Sequence, residues 1–106
     1  MSSKTAQVTA YVAERTGEAD PDTLLSFFTP TGTIVTEEKK TFSGSELRNY
    51  FATNPPPAIG PTVSAPRIVG ENVVITLKFL MLKSYEITFE FDDLLFKKVT
   101  IVSRWF

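Results

Sequence analysis

Two adjacent carboxylate pairs, Glu37 with Glu38 and Asp92 with Asp93, and two arginines, Arg67 and Arg104, are the first side chains in this sequence to suggest chemistry. Paired carboxylates invite a hard cation, but an oxygen cage needs ligands converging from several points of the chain. Both pairs fall at predicted turns, where they read as solvated charge, so neither a metal site nor a cofactor is expected. The arginines would recognise an anion if they faced a common interior, and neither has an identifiable mate in the sequence. The chain has no histidine and no cysteine. That removes the commonest general base and metal ligand, and with them any Ser-His-Asp or Cys-His centre, thiolate site or disulfide within this chain.

Bulk properties narrow the function classes further. At 106 residues the chain reads as one domain spanning 1–106, long enough to bury a sizeable core. Eleven basic against twelve acidic side chains give a net charge of −1. Such a balance lacks the electrostatic attraction on which nucleic-acid binding relies. No polybasic stretch points to a membrane surface, Met1 to Gln7 is polar and unlike a signal peptide, and no run approaches the roughly 20 apolar residues of a membrane span. A soluble, cytoplasmic protein is expected.

The elements that must position any site are clearest in the last third. Val73, Ile75, Leu77, Phe79 and Met81 alternate with less apolar residues, as do Tyr85, Ile87, Phe89 and Phe91, and then Val99 and Ile101, continuing through Ser103 to Trp105. Successive side chains on a strand point to opposite faces, so each row shares one face. For the first two rows to lie on the same side, paired residue numbers must sum to an even value, because a one-residue slip turns a whole row over. The simplest solution pairs Met81 with Tyr85 across a loop from Leu82 to Ser84. The other face carries Thr76, Lys78, Leu80, Glu86, Thr88, Glu90, Lys98, Thr100, Val102 and Arg104, a mixture of charge, threonine and aliphatic groups.

Upstream, Val8, Tyr11 and Val12 at helical spacing predict a helix over Lys4 to Thr16 that Gly17 ends. Asp20 followed by Pro21 restarts a helix as N-cap and first-turn proline. That helix is expected to bury Leu24, Leu25 and Phe28 and to stop at Pro30. Thr31 to Glu37 predicts a short strand, Glu37 to Lys40 an exposed turn, and Ser43 with Glu46 a capping box for a third helix burying Leu47, Tyr50 and Phe51. Asn54 and the prolines Pro55 to Pro57 end it. Thr62 to Val69 predicts a strand that Pro66 confines to an edge or a bulge, and Gly70 to Asn72 turn into the long strands. After Asp92 and Asp93, the apolar Leu94, Leu95 and Phe96 stand where turn residues are usually polar. They are either folded back on the core or presented to a partner.

This order is α+β, with helices covering one face of a sheet. The run Tyr11 to Ala13, then Asp20 to Phe28, Thr33 to Val35, Phe42 to Gly44 and Leu47, together with Phe89, Phe91, Asp92, Lys98, Val99 and Ile101, resembles the nuclear transport factor 2-like (NTF2-like) superfamily. That superfamily includes ketosteroid isomerases and SnoaL-like polyketide cyclases. The resemblance implies a cone-shaped, cystatin-like fold: three N-terminal helices on a strongly curved antiparallel sheet, a pocket at the wide end, and a homodimer formed through the outer face. It assigns Lys78, Leu80, Glu86, Thr88, Thr100, Val102 and Arg104 to that interface, with Lys78 pairing with Glu86 or Glu90 across the two-fold axis.

For chemistry, the resemblance places Tyr11 where the isomerases carry an oxyanion-stabilising tyrosine. The family's base would land near Thr36, which cannot abstract a proton. Its neighbour Glu37 would point the other way on a strand, and the oxyanion carboxyl would land near Ile87 or Thr88. Tyr11 and Glu37 are therefore the catalytic candidates, and Tyr11, Phe28, Tyr50, Phe79, Phe89 and Trp105 the ligand-contacting ones, although such aromatics also serve as core. The expected function is a non-enzymatic homodimeric module that binds a protein partner or assembles. The alternative is a protein for a small apolar ligand, or an isomerase- or cyclase-like enzyme using the cone pocket.

Overall fold

A computed structural model describes residues 3–17, 20–54, 61–79 and 83–105, with Trp105 described by its backbone alone. Leu80, Met81, Leu82, Phe106, the prolines Pro55 to Pro57 and the Trp105 side chain lie outside the described residues.

Helix α1 spans Lys4–Thr16, with Ser3 accepting from the Ala6 amide as its N-cap. Its buried residues, Val8 and Tyr11, sit three apart on one stripe. Helix α2, Pro21–Leu25, starts where the Asp20-Pro21 signal puts it, with the Asp20 carboxylate accepting from the Thr23 amide. It is shorter than expected. Phe28 and Pro30 belong to strand β1, Phe28–Val35, which is followed by β2, Thr41–Ser43. Helix α3, Ser45–Thr53, buries Leu47 and Phe51 and ends at Asn54, ahead of the prolines. Half of its expected capping box forms: Glu46 accepts from the Ser43 amide at 3.5 Å, while Gly44 occupies the cap position with no side-chain bond.

The predicted strand around Pro66 is split into β3, Thr62–Val63, and β4, Arg67–Val69, both paired with β5, Asn72–Phe79. Strands β6, Lys83–Asp92, and β7, Leu95–Trp105, complete a seven-stranded sheet ordered β2-β1-β7-β6-β5-β3, with β4 beside β3 on β5. The sheet is mixed rather than antiparallel throughout, because β1 runs parallel to β7. Helix α3 follows two strands in chain order instead of preceding the sheet.

The parity expected of the long strands holds, in a different register. Leu77, not Met81, pairs with Tyr85, and Phe79 pairs with Lys83. Both sums stay even, so Val73, Ile75, Phe89 and Val99 share a face and are each at most 2% exposed. Ile87 pairs with Ile101 on the same side and packs against this core.

Two register shifts bring the aromatics together. Between Phe28 and Thr33, β1 runs through Thr29 to Gly32 where β7 has only Lys97. Pro30 is tolerated in this irregularity because no ladder bond is required of its missing donor. Between β6 and β7 the pairs Glu90 with Lys98 and Phe91 with Phe96 leave Lys97 as an extra residue. The shift changes the parity at that point, so Phe96, three residues from Val99, also turns inward and is fully buried. The apolar turn therefore divides: Phe96 enters the core and Leu95 is 37% exposed. Gln7 on α1 donates to the Leu94 carbonyl at 3.1 Å and fastens the turn to the helix.

Candidate functional site

Tyr11 is the centre of the aromatic core. Its ring lies 5.2 to 5.8 Å from those of Phe96, Phe27, Phe28 and Phe89 and 6.5 Å from Phe51, each in an edge-to-face arrangement. Such geometry sets the positive edge of one ring against the negative face of another. Burial pushes the phenol well above the usual tyrosine range. The Arg15 guanidinium acts in the opposite sense as a charge and hydrogen-bond donor, with a weaker effect. The hydroxyl therefore stays protonated at neutral pH and can donate a hydrogen bond, but it cannot serve as a base.

Beside this core the helices and the sheet leave a cavity of about 370 Å³. Helix α1 contributes Tyr11, Val12, Arg15 and Thr16, two pairs related by one helical turn. Helix α3 adds Tyr50, and its C-cap residue Asn54 borders the cavity as well. The sheet wall is apolar: Ile75, Leu77 and Phe79 from β5, Ile87 and Phe89 from β6, and Val99 and Ile101 from β7. These are the inward rows of the alternating strands, so the parity that builds the core also lines the cavity.

Polar groups gather where β1 ends. The strand stops at Val35, and Thr36, Glu37 and Glu38 all border the cavity. Strict alternation would have turned Glu37 away from Thr36. Because the chain leaves the sheet after Val35, alternation no longer governs it. The Thr36 amide donates to the Lys40 carbonyl at 2.8 Å, closing a turn in which Lys39 has a positive φ of 64°. Glu37 is then held by two groups of β6. The Tyr85 hydroxyl donates to its Oε1 at 3.3 Å, and Lys83 Nζ lies 3.2 Å from its Oε2. Hydrogen bonding to Tyr85 and then to Glu37 raises the Lys83 ammonium above the ordinary lysine range.

Of the residues singled out in the sequence, Tyr11, Glu37, Tyr50, Phe79 and Phe89 border this one cavity. Phe28 does not. Its pairing with Phe96 on the first rung of β1 places its ring in the aromatic core, 5.4 Å from Phe96 and 5.9 Å from Phe51. Arg67 and Arg104 lie on the outer face, where both approach Glu86, at 3.9 and 3.6 Å. They share no interior anion site. Thr88 pairs with Thr100 and Glu86 with Val102 on that outer face, and Val102 is 44% exposed.

The cavity's own arginine, Arg15, was not among the sequence candidates. The signal was available, since it stands four residues after Tyr11 and so on the same stripe of α1. Lys83 was also missed, because its role depends on meeting a residue 46 positions away in the chain.

No protein-family model matches the sequence, and no curated protein matches it. Solved structures do match. An uncharacterised cystatin-fold protein of Novosphingobium aromaticivorans superposes with a TM-score of 0.75 at 14% identity, covering 96% of this chain and 99% of that one. A protein of Catenulispora acidiphila with a ketosteroid isomerase-like fold, in complex with trimethylamine, gives 0.66 at 18% identity, covering 90% and 82%. TerC, co-crystallised with polyporic acid, gives 0.71 at 15% identity, covering 94% and 91%. Identities this low show the fold alone, and it is the NTF2-like, or cystatin-like, fold.

Proposed function

We propose that this NTF2-like chain is a binding protein for a small, largely apolar molecule held in the cavity between its helices and its sheet. The observation that carries this reading is the cavity itself. Its volume is about 370 Å³, and it is bounded by apolar side chains on the sheet side and by Tyr11, Arg15, Thr16 and Tyr50 among the donors on the helix side. The apolar side chains of its wall face solvent in the empty site, a cost that a small domain can ill spare. A ligand would offset it, and the volume lies toward the lower end of the range usual for small-molecule sites.

The polar groups support binding more than proton transfer. Glu37 has one oxygen engaged by Tyr85 and the other by Lys83, and the Tyr11 phenol is a neutral donor. The similar folds solved with trimethylamine and with polyporic acid are consistent with a small-molecule site. Those two molecules differ so much that the fold does not select the ligand; this chain's own side chains must.

The test is a thermal-shift screen with steroids, polycyclic aromatics and short fatty acids. A ligand present at about 100 times its Kd should stabilise the protein by about 2.7 kcal/mol. The variant Ile87→Phe, which places a larger ring on the cavity wall, should lose the response while remaining folded. No response across the whole panel, or an undiminished one in Ile87→Phe, overturns the reading.

A second part of the proposal concerns the outer face. Val102, 44% exposed between Thr100 and Arg104, offers apolar contact flanked by the Arg67, Glu86 and Arg104 charges, which suits a second copy of the chain. Sedimentation should show a dimer that Val102→Asp dissociates. A monomeric parent protein would rule this out and leave the cavity reading intact.

A further inference from the structure

The charges around the cavity do not cancel. Glu37 is matched by Lys83 at 3.2 Å and Glu38 by Lys40 at 3.8 Å. Arg15 remains. Among the described residues no carboxylate lies within ion-pair distance of it, the other ion pairs being those of Arg48 with Asp22 and of Arg67 and Arg104 with Glu86. Its guanidinium is instead packed 5.5 Å from the ring centre of Phe51, and Arg15 borders the cavity one helical turn after Tyr11.

A cation over an aromatic face gains some stabilisation, but a half-buried guanidinium has five N–H donors in a planar fork, and a ring face engages none of them in a conventional hydrogen bond. A guanidinium at the edge of an apolar wall gains most when a counter-charge with matching acceptors arrives. An oxyanion bound there would meet the Arg15 fork and accept from the Tyr11 hydroxyl at the same time. Charge-assisted bonds of this kind are about twice as strong as neutral ones. A cationic amine would instead meet a like charge at the same place.

Resting on the cavity being a small-molecule site, we infer that its ligand class is an organic carboxylate with an apolar body, whose charged oxygens are received by Arg15 and Tyr11 while the body lies along Leu77, Ile87 and Ile101. The inward rows of the sheet hold the apolar part and the α1 stripe fixes its orientation. Specificity then comes from two residues one helical turn apart.

A matched pair of probes tests this. The compounds 1-naphthoate and 1-naphthamide have nearly the same shape and differ in charge, and their affinities for the full chain can be measured by calorimetry. In the parent protein the naphthoate should bind at least about tenfold more tightly, a difference of about 1.4 kcal/mol. Arg15→Gln should erase that preference without weakening the amide. Arg15→Lys, which keeps the charge and the stem over Phe51, should retain part of it, and Tyr11→Phe should weaken the naphthoate severalfold. Circular dichroism establishes that each variant is folded, and the lysine variant carries the comparison if the glutamine variant is not. Equal binding of the two probes, or a preference for the amide, overturns the anion inference and leaves the apolar site standing. Binding of neither probe, nor of any compound in the wider panel, overturns both.

Discussion

Glu37 meets Lys83 at 3.2 Å, joining the loop after β1 to the first residue of β6. The two elements are not neighbours in the sheet, since β7 lies between them. The contact spans that strand at the cavity's edge, with Tyr85 adding its hydroxyl to the other carboxylate oxygen. The turn closed by Thr36 and Lys40 is thereby tied to β6 at the edge of the site.

Removing the hydroxyl isolates that restraint. Tyr85→Phe deletes a part-buried hydrogen bond of 3.3 Å and should lower stability by about 1 kcal/mol, as read from urea unfolding. Amide exchange in residues 36–40 should accelerate in the same variant while exchange in β5 stays unchanged. An unaltered loop would mean that the turn closed by Thr36 and Lys40 is sufficient alone.

Phe96 and Leu95 are adjacent and should behave differently. Phe96 is fully buried against five aromatic rings, those of Tyr11, Phe28, Phe89 and Phe91 and, on its stacked side, Phe27, whereas Leu95 is 37% exposed. Phe96→Ala should cost about 3–5 kcal/mol. Leu95→Ala should cost about 0.5 kcal/mol. Comparable losses in thermal or denaturant unfolding would contradict the bulge at Lys97 as the device that sorts them.

The Tyr11 phenol predicts an alkaline limit to stability. Its folded value is raised above the unfolded one, so the folded state favours the protonated form. The resulting stability is fully present below the unfolded value of about 10 and is lost as pH rises toward the higher folded value. Unfolding free energy should therefore decline above about pH 10, and Tyr11→Phe should flatten that decline. An identical alkaline slope in the variant would place the titrating group elsewhere.

Gly32 sits where β1 crosses Phe96. A Cβ there would come within 3.0 Å of the Phe28 side chain and of the Phe96 carbonyl oxygen, and the carbonyl is backbone that cannot turn aside. Gly32→Ala should cost about 1–3 kcal/mol. A neutral effect would show that the stretch from Thr29 to Gly32 can relax outward.

The sequence alone determined the elements whose cause is local. Asp20 before Pro21 marked the start of α2, and Leu47, Tyr50 and Phe51 marked the face of α3. The alternating rows through Ile75, Phe89 and Val99 put one face of the sheet in the core, because the two-residue period of a strand is a property of neighbouring residues. The same rows carried most of the cavity wall. Only the tertiary structure decided what depends on distant residues meeting. Phe28 follows a helix and precedes a proline, yet it pairs with Phe96 in a parallel ladder that nothing near Phe28 announces. The extra residue at Lys97 reverses the parity expected of Phe96. The end of β1 at Val35 turns Glu37 toward Lys83, and the packing of α1 on the sheet brings Arg15 to the cavity. Backbone periodicity is set by adjacent dihedral angles and is written along the chain, whereas register, strand order and the convergence of charges are set by long-range packing energies that no short stretch contains.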